Sequence, residues 1–195
     1  MARPAEFDRD EVLDKAMEAF WRTGFNATSV ADLVNVTRLK PGSLYSAFAS
    51  KRGLFIEVLD TYAARRIEGV KQVLDRAEDP LMAIRDMMHR FVADLSDDKI
   101  GRGCLMVNTM TELATEDDEI RERVSNYLDQ VEQYVHRSLE LAQQQGQLRA
   151  DADTDTLAKM LMTTIWGMRI MSSKRPDPAS YHKVIDHLLN TLPTS

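Results

Sequence analysis

Between Leu33 and Ile56 the chain carries four cations, Arg38, Lys40, Lys51 and Arg52, and no carboxylate. The protein as a whole is acidic, with a net charge of −6. This window is therefore where a phosphate backbone would have to approach. Residues 1–52 hold 8 Lys and Arg against 7 Asp and Glu, whereas residues 53–195 hold 17 against 24. An acidic chain can bind nucleic acid through one basic face, because fields fall off within roughly 8 Å at physiological salt. A second reactive group is Cys104, which follows Gly101-Arg102-Gly103 and is expected at a helix N-terminus. There the helix dipole and Arg102 would favour a thiolate. Two readings stay open for it, a thiol that senses oxidants or electrophiles and a small buried core residue.

Other chemistry finds little support. His182 and His187 are five apart on a helix, a spacing that does not share a face, and His89 and His136 are expected to have no nearby Cys or second His. No metal site is expected from them. There is no nucleophile elbow, no glycine-rich phosphate loop and no paired-carboxylate motif, so neither an enzyme nor a bound cofactor is expected. The acidic run from Glu116 to Glu119 suits a helix N-terminus.

The elements that would position the cations follow from periodicity. Val30, Leu33 and Val34 recur at helical spacing, with Asp32 and Asn35 on the polar side, and Thr28 or Ser29 can cap that helix. Thr37-Arg38-Leu39-Lys40 breaks the pattern. Pro41 restarts it, because a fixed φ and a missing N–H suit a first helical position. The second helix, from about Pro41 to Ala47, is very short, with Leu44 and Phe48 turned inward. Two helices joined this tightly form a helix-turn-helix, whose second helix enters the major groove of double-stranded DNA.

The segments FWRTGFNATSVADL and KPGSLYSAFASKRGLF, within Phe20 to Leu59, resemble the TetR family of transcriptional regulators. The resemblance implies an all-α chain with a three-helix DNA-binding domain over residues 1–52 and a helical ligand-binding and dimerisation domain over residues 53–195. It implies a homodimeric repressor of a palindromic operator, released by a small-molecule effector. Gly24-Phe25 would end the first helix, and GSLY-x-x-F would be the recognition helix with its anchor Phe48. DNA contacts are expected from Thr28, Ser29, Arg38, Lys40, Pro41, Gly42, Ser43, Leu44, Tyr45, Ser46 and Lys51. Two departures stand out. Arg38 occupies the turn where the family commonly has Gly, and Lys40 replaces the usual Ser or Thr cap. A non-Gly residue held left-handed loses roughly 1–2 kcal/mol, so either the turn differs or Arg38 is kept for DNA.

The rest of the chain reads as helix. A first helix is expected over about 8–22, and a long one, capped by Ser50, into the seventies. Others open at Asp79-Pro80, at about Cys104, at Thr115 with Asp118 as its cap signal, at Thr154 and at Asp177-Pro178. Val124, Leu128, Val131, Val135, Leu139 and Ala142 trace one apolar seam; Leu157, Met160, Leu161, Thr164, Ile165 and Met168 trace another. Such seams serve either the intrachain core or a two-fold dimer; the family resemblance implies that the last long helices form the dimer as a four-helix bundle. Met88, Phe91, Asn108, Met110, Tyr127, Met162, Trp166 and Arg169 are the expected effector pocket, where flexible thioethers and aromatic walls suit an apolar ligand. GRGCLMVNTMTEL also resembles the subgroup of the N-ethylmaleimide reductase repressor, in which a cysteine at this place senses electrophiles. No apolar run approaches the roughly 20 residues that span a bilayer, and a single Cys fits a reducing compartment, so a cytoplasmic location is expected. The competing class is a helical protein-interaction module with a helix-turn-helix that no longer reads DNA.

Overall fold

A computed structural model of the chain describes residues 7–75, 77–97, 101–172 and 177–194. Among them run nine helices: α1 (Arg9–Ala27), α2 (Val30–Thr37), α3 (Pro41–Phe48), α4 (Lys51–Leu74), α5 (Pro80–Asp97), α6 (Leu105–Leu113), α7 (Asp118–Gln144), α8 (Thr154–Met171) and α9 (Pro178–Asn190). The extended pairing among these residues is an isolated antiparallel bridge between Leu148 and Thr194. None of the described helices is long and apolar enough to cross a membrane.

Most helices begin on a side-chain cap. Asp8, Ser50, Asp79, Asp117, Asp153 and Asp177 accept first-turn amides of their helices, and Ser29 forms a capping box with Asp32. Each such cap is worth about 1 kcal/mol. Ser29 rather than Thr28 caps α2, and Asp117 rather than Thr115 caps α7, because an aspartate directly before the first turn reaches the Ile120 amide at 3.1 Å. Two helices, α3 and α6, start on Lys40 and Cys104 with no side-chain cap. The first helix runs past Arg22 but breaks at Gly24 (φ 82°, ψ 171°) before a last turn to Ala27. Gly146, at φ 74°, ends α7 as expected.

The small N-terminal core is Val12, Leu13, Ala16, Phe20, Leu33, Leu44, Phe48, Leu54 and Phe55. Phe55 meets Phe20 edge-on at 4.8 Å and Phe25 at 4.9 Å. Helix α4 therefore closes this core with its first turns and supplies Val58, Leu59, Tyr62, Val70 and Leu74 to the larger one. The α7 seam is buried within the chain at Val124, Val131, Val135, Leu139 and Ala142, as are Leu161, Ile165 and Met168 of α8. The exposed apolar side chains on the last helices are instead Ile170, Met171 and Val184.

Ion pairs tie α4 to its neighbours: Arg9–Glu57 at 2.7 Å to α1, Arg123–Asp60 at 2.8 Å to α7, and Arg66–Asp94 at 2.7 Å to α5. Arg52 pairs with both Asp117 (2.8 Å) and Glu119 (2.7 Å) at the start of α7. These pairs are half-exposed, so each adds at most about 1 kcal/mol, and their main effect is to fix the direction of α4. Hydrogen bonding from Arg52 holds the Asp117 carboxyl at about 2. A carboxyl depressed on folding stabilises above its unfolded value and loses that effect only as pH falls through the folded one, so mild acid leaves this strut closed.

Arg38 lies in the left-handed region (φ 63°, ψ 13°), so the turn has the glycine geometry despite its arginine. Arg38→Gly should raise stability by about 1 kcal/mol in urea unfolding, since left-handed strain costs more than the added freedom of the unfolded chain. The same change should weaken DNA binding; an unchanged or lowered urea midpoint would refute the strain.

Candidate nucleic-acid interface and effector core

Helix α3 is two turns long and is held by Leu44 and Phe48, which are buried. That anchorage turns Pro41, Gly42, Ser43, Tyr45 and Ser46 outward, beside exposed Arg38 and Lys40. The space beyond the Gly42 Cα is open, and Tyr45 is 47% exposed. Because Lys40 makes no cap, no side chain bonds the first-turn amides of α3. A bare helix N-terminus with a cation at its cap position has the donors and the charge that an anion's oxygen can use.

Three expected contact residues sit differently. Leu44 is fully buried, so it positions the helix rather than touching a ligand. Thr28 is also buried; its hydroxyl donates to the Gly24 carbonyl at 2.6 Å and meets the Thr23 hydroxyl at 2.7 Å, plugging the α1–α2 corner. Lys51 donates from Nζ to the carbonyls of Phe25 (2.8 Å) and Thr28 (2.9 Å) and lies 4.2 Å over the Phe25 ring. It ties the start of α4 to the end of α1. Ser29 is exposed, but its hydroxyl is engaged in the capping box with Asp32.

Past the Gly24 break, the amides of Phe25 and Asn26 both donate to Glu112 of α6, at 3.0 and 2.8 Å. A Cβ on Gly24 would stand 2.7 Å from Glu112 Oε2. Glycine is thus required twice, for its positive φ and for the approach of the carboxylate. Sequence reasoning missed Glu112 because its partners lie 86 and 87 residues away; the Gly24 break was the one visible trace of it.

In the larger core, rings follow one another from α1 to α5. Trp21 meets Tyr62 at 5.4 Å, Tyr62 meets Tyr127 at 6.4 Å, Tyr127 meets Trp166 at 6.3 Å and Trp166 meets Phe91 at 6.3 Å. Arg169 lies 5.3 Å over Phe91. Of the expected pocket, Phe91, Tyr127, Trp166 and Arg169 thus come together, with Met88 and Met162 fully buried in the same core. Asn108 is not free for a ligand, since its amide donates to the Arg102 carbonyl at 2.6 Å, and Met110 is only partly buried. Cys104 is the N-cap of α6 as expected, but it is buried and accepts from the Tyr62 hydroxyl at 3.6 Å. Arg102 does not serve it: the guanidinium lies 4.6 Å over Trp21 and pairs with Glu18.

The histidines require a correction. His89 Nδ1 and His182 Nδ1 are 2.7 Å apart although 93 residues separate them, and His89 Nε2 lies 3.1 Å from Asp186, which also accepts from Arg85 at 2.8 Å. This polar relay joins α5 to α9. Among the described residues no three His, Cys, Asp or Glu side chains are placed to hold a metal.

A family model described as bacterial regulatory proteins of the tetR family matches residues 12–58, and one for a tetracyclin repressor-like C-terminal domain matches residues 80–188. This chain belongs to the TetR family. The transcriptional repressor ComR of Escherichia coli K12 is 34% identical over 86% of this chain and 80% of its own length. A cysteine-substituted CifR, a TetR-family regulator solved with a 26-bp operator, superposes with a TM-score of 0.89 at 30% identity, covering 98% of this chain and 100% of that one. Reduced NemR of E. coli superposes at 0.86 over 96% of this chain and 97% of its own, but at 18% identity it shares the fold alone.

In this TetR-family protein the Glu112 carboxylate is the direct tie between α6 and the DNA-binding helices. Glu112→Ala leaves two amides without their acceptor and should cost about 1–3 kcal/mol in chemical unfolding, with faster hydrogen exchange at Phe25 and Asn26. Exchange at those two amides no faster than in the parent protein would remove Glu112 from this role.

Proposed function

We propose that the protein is a homodimeric repressor that holds a palindromic operator through two copies of α3 and lets go when a small molecule occupies the core between α4, α5, α7 and α8. The observation that carries this reading is the outward face of α3. Tyr45, Ser43 and Ser46, with Arg38 and Lys40 beside them, project from a two-turn helix in a window without a carboxylate. The contact set is Arg38, Lys40, Pro41, Gly42, Ser43, Tyr45 and Ser46, with Thr28, Ser29, Leu44 and Lys51 positioning it. We place the domain boundary between residues 52 and 53, inside the first turn of α4.

One such helix reads few base pairs, so useful affinity calls for a second copy roughly 34–36 Å away. Exposed Ile170, Met171 and Val184 give the last helices an apolar outer face for that second copy. Release requires only that the effector favour a state in which the two α3 helices are misplaced, with coupling of about 1–3 kcal/mol. The Glu112 tie and the Arg52 strut are the routes by which a shift of α6 or α7 would reach α3. Two relatives support the reading: ComR is a repressor, and CifR has been solved on its operator.

The test is a salt titration of binding to DNA upstream of the protein's own gene. A dimer should bind a palindrome there, and Arg38→Ala or Lys40→Ala should each lower the log–log salt slope by about 1. Absence of binding even at low salt would favour a protein-partner module instead. Gly42→Ala separates fold from contact. It should hold or raise thermal stability, since Ala is the better helix former by about 1 kcal/mol, while a methyl group on the open face lowers affinity.

A further inference from the structure

The polar groups of the larger core are out of balance, and all in one direction. Arg169 is 4% exposed, yet its guanidinium makes no hydrogen bond among the described residues. Its nearest anion is Asp94 Oδ2 at 3.6 Å, beyond hydrogen-bonding reach, and that same oxygen accepts from Arg66 at 2.7 Å. Two guanidinium groups therefore share one carboxylate, which leaves one excess positive charge among the described side chains of the cluster. Trp21 Nε1 is buried without a hydrogen-bond partner among the described residues. Burial pushes the Tyr62 and Tyr127 phenols up, so both stay neutral donors, and both feel the charges of Arg66 and Arg169. What this core lacks is an acceptor that carries charge. A buried guanidinium held only by a shared carboxylate at 3.6 Å and a ring face is costly, and its fork of donors fits a second carboxylate.

We propose that this core binds a small organic monocarboxylate, with its carboxylate on the Arg169 guanidinium and its apolar body against Phe91, Tyr127 and Trp166. The proposal rests on the reading of this core as the effector site and names the class of effector. A single negative charge matches the single excess positive charge; a doubly charged phosphate monoester or dicarboxylate would overshoot it. The aromatic walls call for an apolar body rather than a bare inorganic anion. The Asp94 end of the cluster reaches solvent, where Asp94 is 39% and Arg66 33% exposed. On arrival the ligand takes over Arg169 and leaves Asp94 to Arg66 alone. That changes the pairing of α4 with α5 and α8, and α4 is the helix that closes the DNA-binding core.

The test uses the full chain without DNA, titrated with benzoate and butyrate and, in parallel, with the neutral benzamide and butyramide at constant ionic strength in sodium chloride. Tryptophan fluorescence and the melting midpoint are read together, and Trp166→Phe assigns the optical signal. The acids should quench Trp166 and raise the midpoint, and the matched amides should bind roughly 10- to 100-fold more weakly. Arg169→Met should abolish the response while retaining operator binding, which checks its fold, and Arg169→Lys should retain part of it. Acid and amide binding equally, no acid binding below about 10 mM, or Arg169→Met responding like the parent would each overturn the proposal. Because operator binding is scored separately, carboxylate binding by a protein with no operator would sink the repressor reading and leave this one standing.

Discussion

The arrangement of the molecule depends on one carboxylate seated in a pair of backbone amides. Glu112 sits near the end of α6, in the larger domain, and fills the break that Gly24 makes in α1. Everything that orients α3 is referred to that break. Lys51 grips the carbonyls of Phe25 and Thr28 just past it, Thr28 plugs it from within, and Phe25 packs into the small core. A carboxylate in two amide hydrogen bonds has little freedom to slide, so α6 and the α1 corner move together or separate outright. This is the all-or-none coupling that a two-state regulator requires.

A second path runs through side chains. Helix α4 is braced by ion pairs from α1, α5 and α7, and Tyr62 sits on it as the second ring of the row, between Trp21 and Tyr127. Trp21, at one end of that row, belongs to α1; Phe91 and Trp166, at the other, belong to α5 and α8. Packed rings of this kind repack in steps rather than deform smoothly. Cys104 lies beside the same row, and as a buried hydrogen-bond acceptor it is shielded from solvent-borne electrophiles in this conformation.

Local features of the fold were legible in the sequence, and long-range ones were not. Ser50, Asp79-Pro80, Gly146 and Asp177-Pro178 announced helix ends because caps and breaks act within four residues. Thr115 misled because Asp117 stands nearer the first turn and ionises. The outward residues of α3 followed from its spacing, but the inward fate of Thr28 and the engagement of Lys51 depend on α1 returning alongside. Burial of Leu44 was legible, yet membership in a motif had placed it among the contacts. Glu112, the His89–His182 pair and the sharing of Asp94 by Arg66 and Arg169 join residues far apart in the chain. No pattern within a helix turn could have revealed them. Of the expected pocket, the aromatic residues and Arg169 converge, whereas Asn108 was claimed by the loop before α6.

The absent cap on α3 has a thermodynamic consequence. Eight residues are too few to persist as a helix alone, so α3 exists because Leu44 and Phe48 are held. Its first-turn amides remain in water, where the other N-termini around it have a serine or aspartate. A phosphate seated there would supply the missing cap, and the helix would gain order from the molecule it reads. Part of the heat of binding then belongs to completing the protein rather than to recognising the sequence. The free repressor and the bound one differ accordingly in how firmly their recognition helix is formed, even where their average coordinates agree.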